Sequence, residues 1–587
     1  MKDIRTILSE GNTLLFDGAM GTYFASLPGQ AETRCEAANL INQEAIAAIH
    51  RAYLDAGCRA IKTNTFTAGV DLAEGQTDTA HQIIKAACRI AQDCIKPYDA
   101  YVFADIGPAP ESGALSRAEN YCRQADLFLS EGVEYFLLET LPSDAGISEF
   151  AKYLKARCPS SFLIISYAVA MDGTTREGDS GRTLFQRTAT LPEVDVVGFN
   201  CVSGPRHLLD YIQKLDRQDI RLTVMPNAGY PTVLGRRTIY QGTPAYFGEK
   251  LAEIVQAGAQ IIGGCCGTTP AHIAEAAKAL SKPLRIPTPP PSEVSAPPAT
   301  PQANPLSEKL DAGRQVIAVE LDPPADDDIS FFLEGVQALQ TAGADAVTIA
   351  DCPIGRPRAD SSLLACKIKR ELDMEPLPHM TCRDRNFNAT KALLLGLSME
   401  GVHNVLLVTG DPIPSENRDE VKSVFNFNSR KLARYVTSLN QTVLRTPFRL
   451  FGALNLNAKN FAVQLKIAQE KEANGITGFL TQPVLSREAL ENLKSAHETL
   501  QGKILCGIYP VVSHKNACFL NNEIAGMRIS DEITALYEGK NCEEAEDLAV
   551  KISAAIVKEA TPYADGLYLM TPFKRVTLMT RILNEIR

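Results

Sequence analysis

The chain has 587 residues, enough for three or four domains of about 100–200 residues or for two α/β barrels of about 250. Its 45% apolar and 22% charged content is that of a globular protein, and a net charge of −10 argues against a nucleic-acid or anionic-membrane surface. No apolar run reaches the ~18–20 residues of a membrane span, and the first residues lead into no signal-type stretch, so a cytoplasmic protein is expected.

The first half holds eight short apolar runs, each followed by a helix-like segment. They are Leu14–Asp17, Ala60–Phe66, Tyr101–Gly107, Tyr135–Glu139, Phe162–Val169, Val196–Cys201, Leu222–Asn227 and Ile261–Cys266. Uninterrupted apolar runs suit strands covered on both faces, and their alternation with helices predicts parallel βα units. Eight units in ~280 residues predict a (β/α)8 barrel, whose active site is built at the C-terminal strand ends. Asp17, Asn64, Glu139, Cys201, Asn227 and Cys265–Cys266 stand at such ends.

From Pro283 to Pro305 nine of 23 residues are proline, which predicts an extended linker between two globular units. The expected division is residues 1–282, a linker over 283–306, and residues 307–587. The second unit repeats the rhythm at Val316–Glu320, Ala346–Ala350, Leu377–Cys382, Val405–Asp411, Leu450–Asn455, Gly478–Gln482, Ile504–Pro510 and Gly566–Pro572. A second (β/α)8 barrel is predicted, with Glu320, His379, Asp411, Asn455 and Gln482 at its strand ends. It carries neither a Gly-x-Gly-x-x-Gly turn after a strand nor a P-loop.

Fifteen cysteines are scattered without a secreted-type framework, so thiols are expected, some of them free to bind metal. Gly-Gly-Cys-Cys-Gly-Thr (263–268) sets two adjacent thiols in a glycine-rich strand end, and Cys201 ends the sixth strand of the same rim. Three thiolates with an open fourth position describe a catalytic Zn2+ site; buried cysteines acting as small hydrophobes are the alternative.

Leu-Leu-Phe-Asp-Gly-Ala-Met-Gly-Thr (14–22), Asn-Thr-Phe (64–66), Gly-Phe-Asn-Cys (198–201), Pro-Asn-Ala-Gly (226–229) and the double-cysteine segment resemble, in order, the homocysteine S-methyltransferase family. The resemblance implies zinc on Cys201, Cys265 and Cys266, and homocysteine bound there as thiolate. It also implies that Asp17 and Glu139 hold the substrate ammonium, that the Gly18–Ala19 backbone lies near its carboxylate, and that Asn227 faces the substrate. The methyl donor is open among S-methylmethionine, S-adenosylmethionine and methyltetrahydrofolate. A sulfonium donor is chemically easier, because a neutral thioether leaves rather than a tertiary amine, and the chain shows no Asp-x-His-x-x-Gly cobalamin signature.

In the second half Val-Glu-Leu-Asp-Pro-Pro (319–324), Ala-Val-Thr-Ile-Ala-Asp (346–351), His-Met-Thr-Cys-Arg-Asp-Arg-Asn (379–386), Val-Thr-Gly-Asp-Pro (408–412) and Phe-Leu-Thr-Gln-Pro (479–483) look like methylenetetrahydrofolate reductase, closest to the form fused behind a homocysteine methyltransferase. The resemblance implies FAD reduced by NAD(P)H, then hydride transfer to 5,10-methylenetetrahydrofolate on the same face. Glu320 would be the catalytic acid and Asp411 would lie beside the isoalloxazine. Thr348, His379, Arg383, Asn455 and Lys471 would contact FAD, and Gln482 the pterin. The chain departs from the family at Leu321 and Asp322, where many relatives carry aromatics, and at Thr409, where many carry arginine; Arg383 and Arg385 are expected to supply that charge. A second barrel reduced to a folate-binding or regulatory module is the rival reading. Small-molecule substrates are the expected partners, with homo-oligomerisation left open.

Overall fold

A computed structural model describes all residues except 1, 31–32, 111–114, 216–219, 235–236, 282–300, 413–422 and 525. Most of the proline-rich linker expected at 283–306 lies outside the described residues. The chain forms two compact units, residues 1–293 and 294–587.

In the first unit the strands are β1 (Leu14–Leu15), β2 (Ala60–Lys62), β3 (Tyr101–Ile106), β4 (Tyr135–Leu141), β5 (Phe162–Tyr167), β6 (Val196–Asn200), β7 (Leu222–Met225), the hairpin β8 (Pro231–Leu234) and β9 (Arg237–Tyr240), and β10 (Ile261–Ile262). Eight of them, all but the hairpin, form one parallel sheet in the order β1-β10-β7-β6-β5-β4-β3-β2. A parallel bridge between Phe16 and Ala60 joins its two ends.

The second unit is a closed parallel barrel of eight strands in sequence order. They are β11 (Val316–Glu320), β12 (Ala346–Ile349), β13 (Glu375–Thr381), β14 (Asn404–Val408), β15 (Arg449–Leu454), β16 (Gly478–Pro483), β17 (Lys503–Ile508) and β18 (Gly566–Met570). Both units are therefore (β/α)8 barrels, as the run pattern predicts. Among the described residues no helix is long and apolar enough to cross a membrane.

Two differences from the predicted elements matter for the sites. Several strands of the first barrel are shorter than their apolar runs. Asp17, Asn64, Cys201, Asn227, Cys265 and Cys266 all lie just past a strand end, in the loops above it. The hairpin β8–β9 has no counterpart in the run pattern.

Side chains alternate along a strand, so residues two apart face the same side. In the first barrel Ala60, Tyr101, Phe103, Leu137, Phe162, Ile164, Val196, Met225 and Ile261 fill the interior, and Ile4, Ile7 and Leu8 of the opening helix Ile4–Ser9 join the same cluster. One step further along the same parity stand Lys62, Asp105, Glu139 and Ser166, and two steps beyond Val196 stands Asn200, all buried. The apolar layers thus give way to a polar top layer. The second barrel repeats the plan. Val316, Ala318, Ala346, Leu377, Leu406, Phe451, Leu480 and Leu505 fill it, with Leu306 and Leu310 of the helix Pro305–Asp311 beside them. The same parity leads to Glu320, Thr348, His379 and Gln482. Around each barrel a larger apolar cluster packs the helices onto the outer faces of the strands.

Candidate active sites

In the first barrel the chain turns sharply after β6. Cys201 and Val202 both take the left-handed conformation, with φ of 58° and 56°. That is costly for a β-branched residue, on the order of 1–3 kcal/mol, and such strain collects at functional sites. The loop after β7 ties this turn to the double-cysteine loop. Cys201 N–H donates to the Met225 carbonyl (3.1 Å), Cys265 N–H to Pro226 (2.8 Å), and Ala228 N–H to Cys266 (3.0 Å). Thr268 joins the β1 loop to the same place, accepting from Ala19 N–H (2.9 Å) and donating to the Cys265 carbonyl (2.7 Å). Its Oγ1 would lie 2.4 Å from a Cβ on Gly264 and 2.6 Å from one on Gly18, so both positions exclude a side chain.

The outcome is a cluster of three sulfurs. Cys201, Cys265 and Cys266 place their Sγ atoms within 4.8 Å of one another, and Cys201 and Cys266 are 3.7 Å apart. A tetrahedral metal with bonds to sulfur of ~2.3 Å separates any two sulfurs by about 3.8 Å, so the donor set fits zinc in spacing and in softness. Hydrogen bonds from Cys201, Cys265 and the Tyr240 hydroxyl pull the Cys266 thiol down to about 3, while hydrogen bonds to Cys265 and Cys266, with burial, push Cys201 upward. Tyr240 comes from the unanticipated hairpin.

Beside the sulfurs lies a buried charge cluster. Lys62 Nζ sits 3.7 Å from Asp17 Oδ1 and 3.8 Å from Glu139 Oε2. The Lys62 N–H donates to Asp17 Oδ2 (3.0 Å). Asn200 Nδ2 donates to Glu139 Oε2 (3.0 Å) and reaches Cys265 Sγ at 3.9 Å, linking the carboxylates to the thiols. Burial raises Asp17 and Glu139 to about 7, against the pull of Lys62. Asp105 is pushed well above the carboxylate range by burial and by Glu139. Burial opposes the charge on Lys62, yet Glu139, Asp17, Cys265 and Asp105 together hold its pKa well above the usual value. Asn227 is buried, its Oδ1 without a hydrogen-bond partner among the described residues.

Asp17, Gly18, Ala19, Glu139, Asn227 and the three cysteines are thus gathered on one rim. Sequence reasoning missed Lys62, Asp105, Asn200 and Tyr240. Counting in twos along each strand from the apolar interior would have found the first three.

In the second barrel Glu320 ends β11 in the mouth, its side chain 23% exposed. Desolvation and Asp322 raise its pKa to about 7, partly offset by a hydrogen bond from the Tyr568 hydroxyl. His379 Nε2 lies 3.7 Å away, and burial lowers the imidazole to about 4, so it is neutral. Thr348 is fully buried and pairs with Glu320 in register. Asp411 is exposed beyond β14; it accepts from Ile354 N–H (3.0 Å), and its carbonyl accepts from Arg383 Nη1 (3.1 Å). Arg383 therefore reaches the loop where Thr409 replaces the expected arginine. Arg385 is committed instead to Asp351 and Asp360. Asn455 and Gln482 face each other across Gly526, whose Cβ would meet Asn455 Nδ2 at 3.5 Å and Gln482 Cδ at 3.6 Å. Lys471 stands between its helix and β15, donating to the Ala453 carbonyl (2.6 Å), and burial lowers it to about 8. Its described contacts are to β15 rather than to Glu320 or Asp411. Tyr568 was not singled out from the sequence, although it shares the interior parity of β18.

The sequence model of the family described as Homocysteine S-methyltransferase matches residues 14–280, and that of Methylenetetrahydrofolate reductase matches residues 305–587. Each barrel thus carries the domain of one of these families. Among curated proteins, a methionine synthase of Mycobacterium tuberculosis is 31% identical over 306 residues, 48% of this chain and 25% of that protein. One from Mycobacterium leprae is 29% identical over 291 residues, 45% of this chain and 24% of that protein. The chain thus spans about a quarter of the length of the curated relatives it matches. Among solved structures, the homocysteine methyltransferase MmuM of Escherichia coli in its metallated form covers 47% of this chain and 99% of its own, at 23% identity and a TM-score of 0.39.

Proposed function

We propose that the first barrel transfers a methyl group to the sulfur of homocysteine, giving methionine, and that the second reduces 5,10-methylenetetrahydrofolate to 5-methyltetrahydrofolate with NAD(P)H. The domains carrying these activities are residues 1–282 and 307–587, joined by the linker at 283–306. The two family-domain matches support the pairing. The single observation that carries the first activity is the cluster of three sulfurs above the strand ends, with Cys201 and Cys266 at 3.7 Å.

A zinc ion on Cys201, Cys265 and Cys266 would supply a Lewis acid that binds the substrate sulfur as thiolate at neutral pH, where a free thiol is mostly protonated. Asp17 and Glu139 lie beside the sulfurs and are suited to a substrate ammonium. Asn200 holds Glu139 in place through its amide, and Thr268 fixes the Gly18–Ala19 backbone. A sulfonium methyl donor remains the preferred reading.

In the second barrel FAD would carry hydride from the nicotinamide to the folate. Glu320, Thr348 and His379 line the mouth, Arg383 and Asp411 meet from the loops after β13 and β14, and Asn455 and Gln482 lie together under Gly526. Opening the folate ring requires a proton on the departing N10. A carboxyl raised to about 7 holds that proton at neutral pH and can release it. Tyr568 fixes its orientation.

Purified protein supplied with homocysteine and, separately, with S-methylmethionine, S-adenosylmethionine or methyltetrahydrofolate should yield methionine from at least one donor. The same preparation should be yellow and oxidise NAD(P)H when methylenetetrahydrofolate is added. Failure with all donors would overturn the first assignment; a colourless, inert second barrel would favour the folate-binding module.

A further inference from the structure

The charge cluster of the first barrel holds more than an ammonium site needs. Three buried carboxylates, Asp17, Asp105 and Glu139, face one buried lysine. Lys62 already carries an ammonium to the place between Asp17 and Glu139, yet at 3.7 and 3.8 Å it makes no close contact with either. A tight ammonium–carboxylate hydrogen bond spans about 2.7–2.9 Å. Asp17 Oδ1 and Asp105 Oδ1 are both buried and lack any hydrogen-bond partner among the described residues. Asp105 follows Phe103 on the interior parity of β3 and shares a hydrogen bond with Glu139. Unsatisfied buried carboxylate oxygens are costly, and a cationic ligand donating to them would remove the cost.

We propose that Lys62 is a resident ammonium seated between Asp17 and Glu139, and that Asp105 is the added carboxylate that admits a second ammonium, that of an amino-acid thiol substrate, beside it. Asp17 and Glu139 alone would be shared between lysine and substrate, two cations on two anions with each held loosely. With Asp105 the site offers three carboxyl groups to two cations: Asp105 holds its proton while only Lys62 is present, releases it when a second cation arrives beside it, and then gives the incoming ammonium acceptors that Lys62 does not occupy. Lys62 and Asp105 therefore act as a matched pair: the lysine alone would repel the ammonium, and the aspartate compensates. The pair selects for a thiol that carries an amino group. This rests on the reading of the first barrel as a homocysteine site.

The test is a binding measurement, independent of the methyl donor. Zinc-loaded full-length protein is titrated by calorimetry with homocysteine and with 4-mercaptobutanoate, which keeps the thiol and the carboxylate and lacks the amino group. Asp105→Asn should weaken homocysteine by at least about tenfold, as loss of one partner of a buried charge pair does, and should change 4-mercaptobutanoate by less than about threefold. Lys62→Met combined with Asp105→Asn removes one charge of each sign and should restore homocysteine to within about threefold of the parent. Zinc content and circular dichroism confirm that each variant is folded and loaded, and the double variant supplies the answer if Asp105→Asn alone is unstable. Equal losses for the two thiols would make Asp105 a merely structural residue and overturn the proposal. A double variant as weak as Asp105→Asn would show that Lys62 does not compete with the substrate, and would overturn it too. A parent protein that binds neither thiol would instead remove the homocysteine reading itself.

Discussion

Both barrels have apolar interior layers joined by residues of a short helix, and both become polar in the last residues of their strands. They differ in how that polar layer is used. In the first, the chemistry-bearing atoms are mostly beyond the strands. Cys201 sits on a left-handed turn, Cys265 and Cys266 on a glycine-rich loop, and Asp17 one residue past the bridge that joins the sheet ends. In the second, Glu320, Thr348, His379 and Gln482 are strand residues. Loops allow three sulfurs to converge on one point, which metal ligation requires. Strands give a carboxyl one fixed direction and a desolvated setting, which proton transfer requires. The thiol site is therefore expected to depend on its ligand set as a whole, and the carboxyl site on a single group.

The contrast is sharpest when the thiols are removed. Cys201→Ala, Cys265→Ala and Cys266→Ala should each reduce zinc well below one ion per chain and abolish methionine formation. Flavin reduction and folate turnover in the second barrel should persist near the parent rate. Zinc by atomic absorption, with both activities assayed on the same samples, decides it. Full zinc and full transfer in all three variants would remove the cluster as the site.

Glu320→Gln removes one proton and keeps the shape. Reduction of bound FAD by NAD(P)H should stay within about tenfold of the parent, while reoxidation by methylenetetrahydrofolate should fall by on the order of 10²–10⁴. Stopped-flow flavin absorbance with each substrate separates the two half-reactions. Equal folate rates for parent and variant would reject the acid role.

How far each site was legible follows from the same contrast. The positions of all sixteen barrel strands can be read from apolar runs, because strands covered on both faces are continuous in sequence. Cys201, Cys265 and Cys266 stand out as chemistry at run ends. Lys62 and Asp105 do not, because each falls inside or at the edge of a run where a single polar residue looks like an interruption. Their meaning depends on strand parity and on neighbours 34 to 77 residues away, such as Glu139 for Lys62 and for Asp105. Tyr240 was hidden for another reason: a short antiparallel hairpin inserted in a βα loop leaves no mark on the βα rhythm. Tyr568 is an aromatic inside an apolar strand, and its hydroxyl acquires a role only once β18 closes the barrel against β11.

Tyr568 gives a smaller and directional effect. Its hydroxyl donates to the Glu320 carboxylate and so favours the charged form, lowering the pKa that burial has raised to about 7. A reaction that needs protonated Glu320 slows as pH rises through that value. Tyr568→Phe removes the donor, so the Glu320 pKa should rise further and the decline should begin at higher pH. Below the parent pKa the two proteins should reoxidise flavin at similar rates. A decline at unchanged or lower pH would mean that Tyr568 does not act on the carboxyl.

The smallest effect is expected from separating the barrels. Each unit has its own closed set of eight parallel strands, its own interior layers and its own surrounding helices. A fold that completes its core within one segment can fold alone. Cleavage within residues 283–305, by an inserted protease site, should release two soluble halves, each retaining its activity within about threefold. Circular dichroism and separate assays of zinc-dependent transfer and flavin-dependent reduction would show this. Insolubility of both halves would mean that one barrel covers apolar surface of the other. Loss of coupled turnover with both separate activities intact would point to a methyl group handed between the sites.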